Sequence, residues 1–90
     1  MIKITFADNE EVDIDKNTKI MAAQSSYDSD DQSKFSASGI FMGTAESPEL
    51  KTKDPLVGFE GLLNSADWIS FGNTKQVYKT SAIIKIEEVD

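Results

Sequence analysis

The chain has 90 residues, with sixteen Asp and Glu against nine Lys and no Arg, for a formal net charge of −7. Such a length supports one domain with a single modest core, burying roughly 60–65% of the surface its unfolded chain would expose. Cys and His are both absent, which excludes disulfides and thiolate nucleophiles and removes the commonest general base and the commonest zinc ligand.

The missing Arg removes the bidentate fork that usually reads phosphates and guanine edges, and the acidic field repels polyanions over about 8–10 Å. Direct binding to nucleic acid or to an anionic membrane is therefore not expected. No apolar run approaches the ~20 residues that cross a bilayer, and the opening residues lack the basic-then-apolar layout of a signal peptide. The expected location is cytoplasmic, and no cofactor or metal is expected.

Taken in chain order, Ile2, Ile4 and Phe6 alternate with Lys3 and Thr5, and Val12 and Ile14 continue the pattern after Ala7-Asp8-Asn9-Glu10. Asp and Asn tolerate the left-handed backbone of a tight connection, so residues 1–15 read as a β-hairpin. Its outer face is expected to carry Glu11, Asp13 and Asp15 at about 6.6 Å intervals. Residues 15–18 are a second polar break. A third strand at 19–27 and a fourth at 34–42 then flank the acidic loop 28–33. The competing reading is local disorder, because Ser, Ala, Asp and Gly dominate 22–47 and offer little apolar area against chain entropy; on that reading 22–53 is mobile or irregular.

Residues 44–53 read as an exposed connection. Asp54 as N-cap and Pro55 at the first helical position then start a short helix around residues 55–64. Leu56, Phe59 and Leu63 form its apolar stripe, and Gly58 and Gly61 each cost it about 1 kcal/mol relative to Ala. A strand at 67–71 and a four-residue turn lead to the most β-prone run of the chain, 77–86, which is expected to pair with 67–71. In that last strand Ala82, Ile84 and Ile86 share one face, and Ser81, Ile83, Lys85 and Glu87 share the other.

The expected fold is α+β and mainly β: a small antiparallel sheet or partly closed barrel with one short helix. Its predicted core is Ile2, Ile4, Phe6, Val12, Ile14, Phe35, Phe41, Leu56, Phe59, Leu63, Trp68, Ile69, Phe71, Tyr78, Ile84 and Ile86.

No catalytic motif emerges. Asp28, Asp30 and Gln32 alternate like the start of a calcium loop, but the pattern needs Gly at 33 and Glu at 39, where this chain has Ser33 and Gly39. Trp68 reads either as core or as a stacking or interface anchor. Lys79 near Ser81 is too common an arrangement to argue for nucleophilic catalysis. Gly39 and Gly43 have G-x-x-x-G spacing without an apolar 20-residue context. An enzyme would need a carboxylate pair brought together by folding, such as Asp67 with Glu60.

The candidate binding residues are Glu10, Glu11, Asp13 and Asp15 on the first hairpin, with Asp28, Asp30 and Asp31 as a second acidic edge. Such a strip can simply keep a sheet edge soluble, or it can imitate a nucleic-acid backbone and occupy the groove of a basic protein.

The opening Met1-Ile2-Lys3-Ile4-Thr5-Phe6 with its acidic turn and Val12-x-Ile14, and the closing run from Tyr78 to Glu87, resemble small uncharacterised proteins of Gram-positive lactic-type bacteria and their phages or mobile elements. The resemblance covers about a quarter of the chain and carries over no site. It implies a setting in which short, acidic, cysteine-free proteins bind and block a host protein, as anti-CRISPR proteins do. The leading expectation is thus a non-enzymatic module that binds a basic, nucleic-acid-handling host protein. The alternative is a structural or assembly subunit that forms a homo-oligomer through a strand edge.

Overall fold

A computed structural model of the chain describes residues 1–27, 35–72 and 75–89. Strands β1 (Ile2–Phe6) and β2 (Glu11–Ile14) form the expected hairpin, with Ile2 opposite Ile14 and Ile4 opposite Val12. Asn9 takes the left-handed conformation at φ 71°, and the Phe6 N–H donates to the Glu10 carbonyl at 2.9 Å to close the turn. Ile2, Ile4, Phe6 and Ile14 are all buried.

Strands β3 (Ile20–Tyr27) and β4 (Phe35–Gly43) pair antiparallel, as expected, while the acidic loop between them lies outside the described residues. The register slips by one between Ala22 and Ala23, which face Phe41 and Gly39 and leave Ile40 as the extra residue of a bulge. Ile20 and Ala22 point inward and are buried.

Residues 44–53 are not the plain exposed connection that their polarity predicts. The Ser47 hydroxyl accepts from the Thr44 N–H at 3.0 Å, a 3₁₀ turn follows at Pro48–Leu50, and Leu50 enters the core. Helix α1 (Pro55–Ser65) begins as the sequence requires, with the Asp54 carboxylate accepting from the Leu56 N–H at 3.0 Å and Pro55 in the first turn. Its buried side chains are Phe59 and Leu62, followed by the C-cap Ala66, while Leu56 and Leu63 are only partly buried. The inward face is thus turned from the predicted stripe, because the helix must present Gly58 to the backbone of Leu50.

Strand β5 (Trp68–Phe71) pairs with β3 on one side and with the two-residue β6 (Tyr78–Lys79) on the other. The expected long pairing of 67–71 with 77–86 therefore reduces to two residue pairs, Trp68 with Lys79 and Ile69 with Tyr78. A 3₁₀ turn at Thr80–Ala82 then carries the chain across to pair β7 (Ile83–Glu88) with β1. The result is two antiparallel sheets rather than a barrel, with strand orders β2-β1-β7 and β4-β3-β5-β6.

A second bulge decides which residues of β7 face inward. Ile86 sits opposite Ile4 and Ile83 opposite Phe6, so Ile84 becomes the extra residue and is 63% exposed. Simple alternation had assigned Ile84 to the core and Ile83 to the far side. Trp68 is likewise half-buried on the outer face rather than in the core, and the side chain of Phe35 lies outside those described.

The two glycines of α1 are not equivalent. A Cβ on Gly58 would collide with the Leu50 backbone carbonyl, whereas one on Gly61 would meet nothing within 4 Å. Gly58→Ala is expected to destabilise the chain despite its gain in helix propensity, and Gly61→Ala to stabilise it by about 0.5–1 kcal/mol. Denaturant unfolding followed by the fluorescence of Trp68 checks both; equal shifts for the two variants would contradict the close approach of α1 to Leu50.

Candidate functional site

The acidic residues singled out on the first hairpin do not form one uniform strip. Glu11 and Asp13 lie on the outer face of β2, where Lys3 of β1 faces Asp13 and places its ammonium 3.8 Å from the Glu11 carboxylate. On its other side Lys3 faces Glu87, and Lys85 lies 3.5 Å from Glu87. The outer face of this sheet is therefore a mixed-charge surface.

Asp15 falls past the end of β2, in a turn. Its carboxylate accepts from the Asn17 N–H at 2.8 Å and from the Thr18 hydroxyl at 3.1 Å, and these bonds hold its pKa below the usual value. Asp28, Asp30 and Asp31 lie outside the described residues.

Glu10 occupies a different place. The Tyr78 hydroxyl lies 3.2 Å from its Oε1 and 3.0 Å from the Gln76 Oε1. The Tyr78 ring stacks on Phe6 at 4.5 Å between centroids and approaches Phe71 at 6.1 Å, so it bridges the cores of the two sheets while its hydroxyl reaches the surface. This contact ties the acidic β1–β2 turn to β6.

The outer face of the four-stranded sheet carries the feature the sequence reading missed. Strand pairing places Met42, Met21 and Ser70 in one row across the outer face of the four-stranded sheet, and Gly39, Ala23, Trp68 and Lys79 in the next. The small residues Ala23, Gly39 and Ser70 form the floor of a groove of about 760 Å³, and Met21, Ile40, Met42, Trp68 and Val77 stand around it. Met42 is 70% exposed and Val77 59%. None of the residues lining this groove is charged, in a chain of which 28% is.

The groove has a fixed wall. Trp68 donates its indole N–H to the Ser25 hydroxyl at 2.9 Å, and the Lys79 ammonium lies 4.7 Å from the centre of its ring. The Asp67 carboxylate accepts from the Ser25 N–H at 2.8 Å, which holds Ser25 in place for Trp68. Asp67 and Glu60 both line a shallow depression at the end of α1, but this bond makes Asp67 a structural acceptor there. Among the described residues no group of three or more Asp or Glu is placed to hold a metal ion, and no helix is long and apolar enough to cross a membrane.

A sequence signal for the face did exist. Ile40, Phe41 and Met42 are consecutive apolar residues in a strand, and a strand with one buried face should alternate.

Burial raises the Tyr78 pKa above the ordinary 10.0, the hydrogen bond to Glu10 adds to it, and the charges of Glu10 and Asp8 act in the same direction. The folded state thus favours the neutral phenol. Its contribution to stability is complete below pH 10 and is lost as pH rises through the raised folded value. Tyr78→Phe keeps the ring stacking and cannot ionise. Its stability relative to the parent chain is expected to rise with pH above about 10, measured by urea unfolding across the alkaline range; parallel curves would remove Tyr78 from the alkaline transition.

Comparison with models of known families, with curated proteins and with solved structures finds no match to this chain.

Proposed function

We propose that this chain is a non-enzymatic protein-binding module that docks a basic partner protein against the outer face of its four-stranded sheet. The observation that carries this reading is the uncharged groove of Met21, Ile40, Met42, Trp68 and Val77 on a chain of net charge −7. A contiguous exposed apolar face with polar surroundings is the usual mark of an interaction site, and Trp and Met are enriched at such sites. Trp68, held by Ser25 and Lys79, is the natural anchor because little of its conformational freedom remains to be lost on binding.

The basic character of the partner follows from charge. The acidic turn with Asp8 and Glu10 is tied to β6 through the Tyr78 hydroxyl on the inner side of the four-stranded sheet, and it adds to the negative field of the domain that carries the groove. An acidic surface beside an apolar contact steers a positively charged partner and speeds association, while the apolar contact sets the dissociation rate. In this division of labour the carboxylates at Glu10, Glu11, Asp13 and Asp15 guide encounter and the groove supplies affinity.

The resemblance to proteins of lactic-type bacteria and their phages or mobile elements suggests the biological setting. There the module would act in the cytoplasm as an inhibitor of a nucleic-acid-handling host protein, in the manner of an anti-CRISPR or a nucleic-acid mimic. The lysines interspersed among Glu11, Asp13 and Glu87 weigh against pure backbone mimicry and favour a mixed apolar and acidic contact.

The test is capture of the partner from a Gram-positive host lysate at low salt, followed by kinetics with the purified partner. Met42→Glu combined with Val77→Asp is expected to raise the dissociation rate at least tenfold. Neutralising Glu10, Glu11, Asp13 and Asp15 to Gln and Asn should instead slow association several-fold and flatten its salt dependence. Binding that ignores both sets of changes would refute the assignment.

A further inference from the structure

We infer that the free edge of β4 is a self-pairing surface, at which two copies of this chain join their four-stranded sheets into one continuous antiparallel sheet. Among the described residues β4 ends its sheet, with β3 on one side and no strand on the other. An unpaired strand edge is a template for another strand, and proteins usually blunt it with charge, proline, brevity or a bulge.

The remaining edges of this molecule are blunted in those ways. β2 has four residues and carries Glu11 and Asp13. β6 has two residues. β7 carries Lys85, Glu87 and Glu88 and is bulged at Ile84. β4 shares the bulge, at Ile40, but differs in length and composition: its nine residues, Phe-Ser-Ala-Ser-Gly-Ile-Phe-Met-Gly, contain no charge and no proline.

Charge also selects the occupant. Two chains of net charge −7 repel each other over most of their surfaces, and like charges facing across a sheet are destabilising. Along β4 neither copy brings a charge to the contact, so a second copy can approach there. The bulge supplies a register. A twofold axis between Gly39 and Ile40 sets Gly39 against Ile40 and Ser38 against Phe41, a small residue facing a large one each time.

That axis also keeps faces matched. Gly39 and Met42 lie in the outer rows of the sheet and Phe41 in an inner one, and the slip at Ile40 changes the parity of the strand at the axis itself. A twofold contact is self-complementary, as a pairing between identical strands must be.

This inference is independent of the basic-partner reading. Edge pairing uses backbone groups, leaves the groove open, and sets the grooves of the two copies in one sheet. The two readings also respond oppositely to salt: partner binding should weaken, whereas self-pairing should tighten as the mutual repulsion of two acidic copies is screened.

Sedimentation equilibrium of the full chain at low and high NaCl tests the idea. We expect a monomer–dimer equilibrium that shifts toward dimer with salt. Ile40→Glu and Ile40→Lys, at an exposed bulge position, should each leave a folded monomer, and an equimolar mixture of the two should recover the dimer. Because the chain has no cysteine, Ile40→Cys should oxidise to a covalent dimer across the axis. A chain that stays monomeric to about 1 mM at high salt, a dimer that neither charged variant weakens, or a mixture that fails to recover would each overturn the inference.

Discussion

The architecture depends on one crossing. At Thr80–Ala82 the chain leaves the four-stranded sheet and enters the three-stranded one, and the Thr80 hydroxyl donates to the Ala66 carbonyl at 2.6 Å while its N–H donates to the Asp67 carbonyl at 3.0 Å. These bonds fasten the crossing to the end of α1, and the Ala7 N–H reaches the Ala82 carbonyl at 2.8 Å from the other side. Without that crossing, β7 would extend β6 along β5, β1 would lose its second neighbour, and the inward faces of the two sheets would not enclose Phe59 and Leu62.

A consequence of splitting the chain between two sheets is that the four-stranded sheet has only one side covered. Its inner rows, Phe41-Ala22-Ile69-Tyr78 and Gly43-Ile20-Phe71, meet the helix and the first hairpin. Nothing among the described residues covers the outer rows, and they hold a Trp and two Met where a solvated sheet face would carry charge. The polar surface of the molecule is concentrated elsewhere, on β2, β7 and the turns. A groove lined by uncharged residues, with Lys79 over its Trp68 wall, and an uncharged strand edge therefore adjoin on an acidic domain.

Legibility differed between elements for definable reasons. The hairpin of β1 and β2 was readable because strict alternation, a turn that tolerates left-handed backbone and a two-sided polar–apolar division all agree. The start of α1 was readable because Asp54 and Pro55 are local signals whose effect spans one turn of helix. Leu50 was not, since a 3₁₀ turn that buries a leucine inside a polar stretch is specified by Gly58, eight residues on, rather than by its own neighbours. The carboxylates of the candidate strip were found as residues but not as a surface, because only cross-strand register brings Lys3 between Asp13 and Glu87.

By itself the sequence determined the composition class, the presence of nearly every strand, the helix and its cap, and the exclusion of thiol and imidazole chemistry. These rest on local periodicity and on which side chains exist. The tertiary structure alone decided that the closing segment belongs to two sheets and that Ile84 faces water while Ile83 faces the core. It also decided that Met21, Met42, Trp68 and Val77 converge. The physical reason is common to all three: a β-bulge or a single 3₁₀ turn reverses side-chain parity at the energetic cost of a hydrogen bond or two, and whether the chain accepts that cost depends on contacts made by residues far away in sequence.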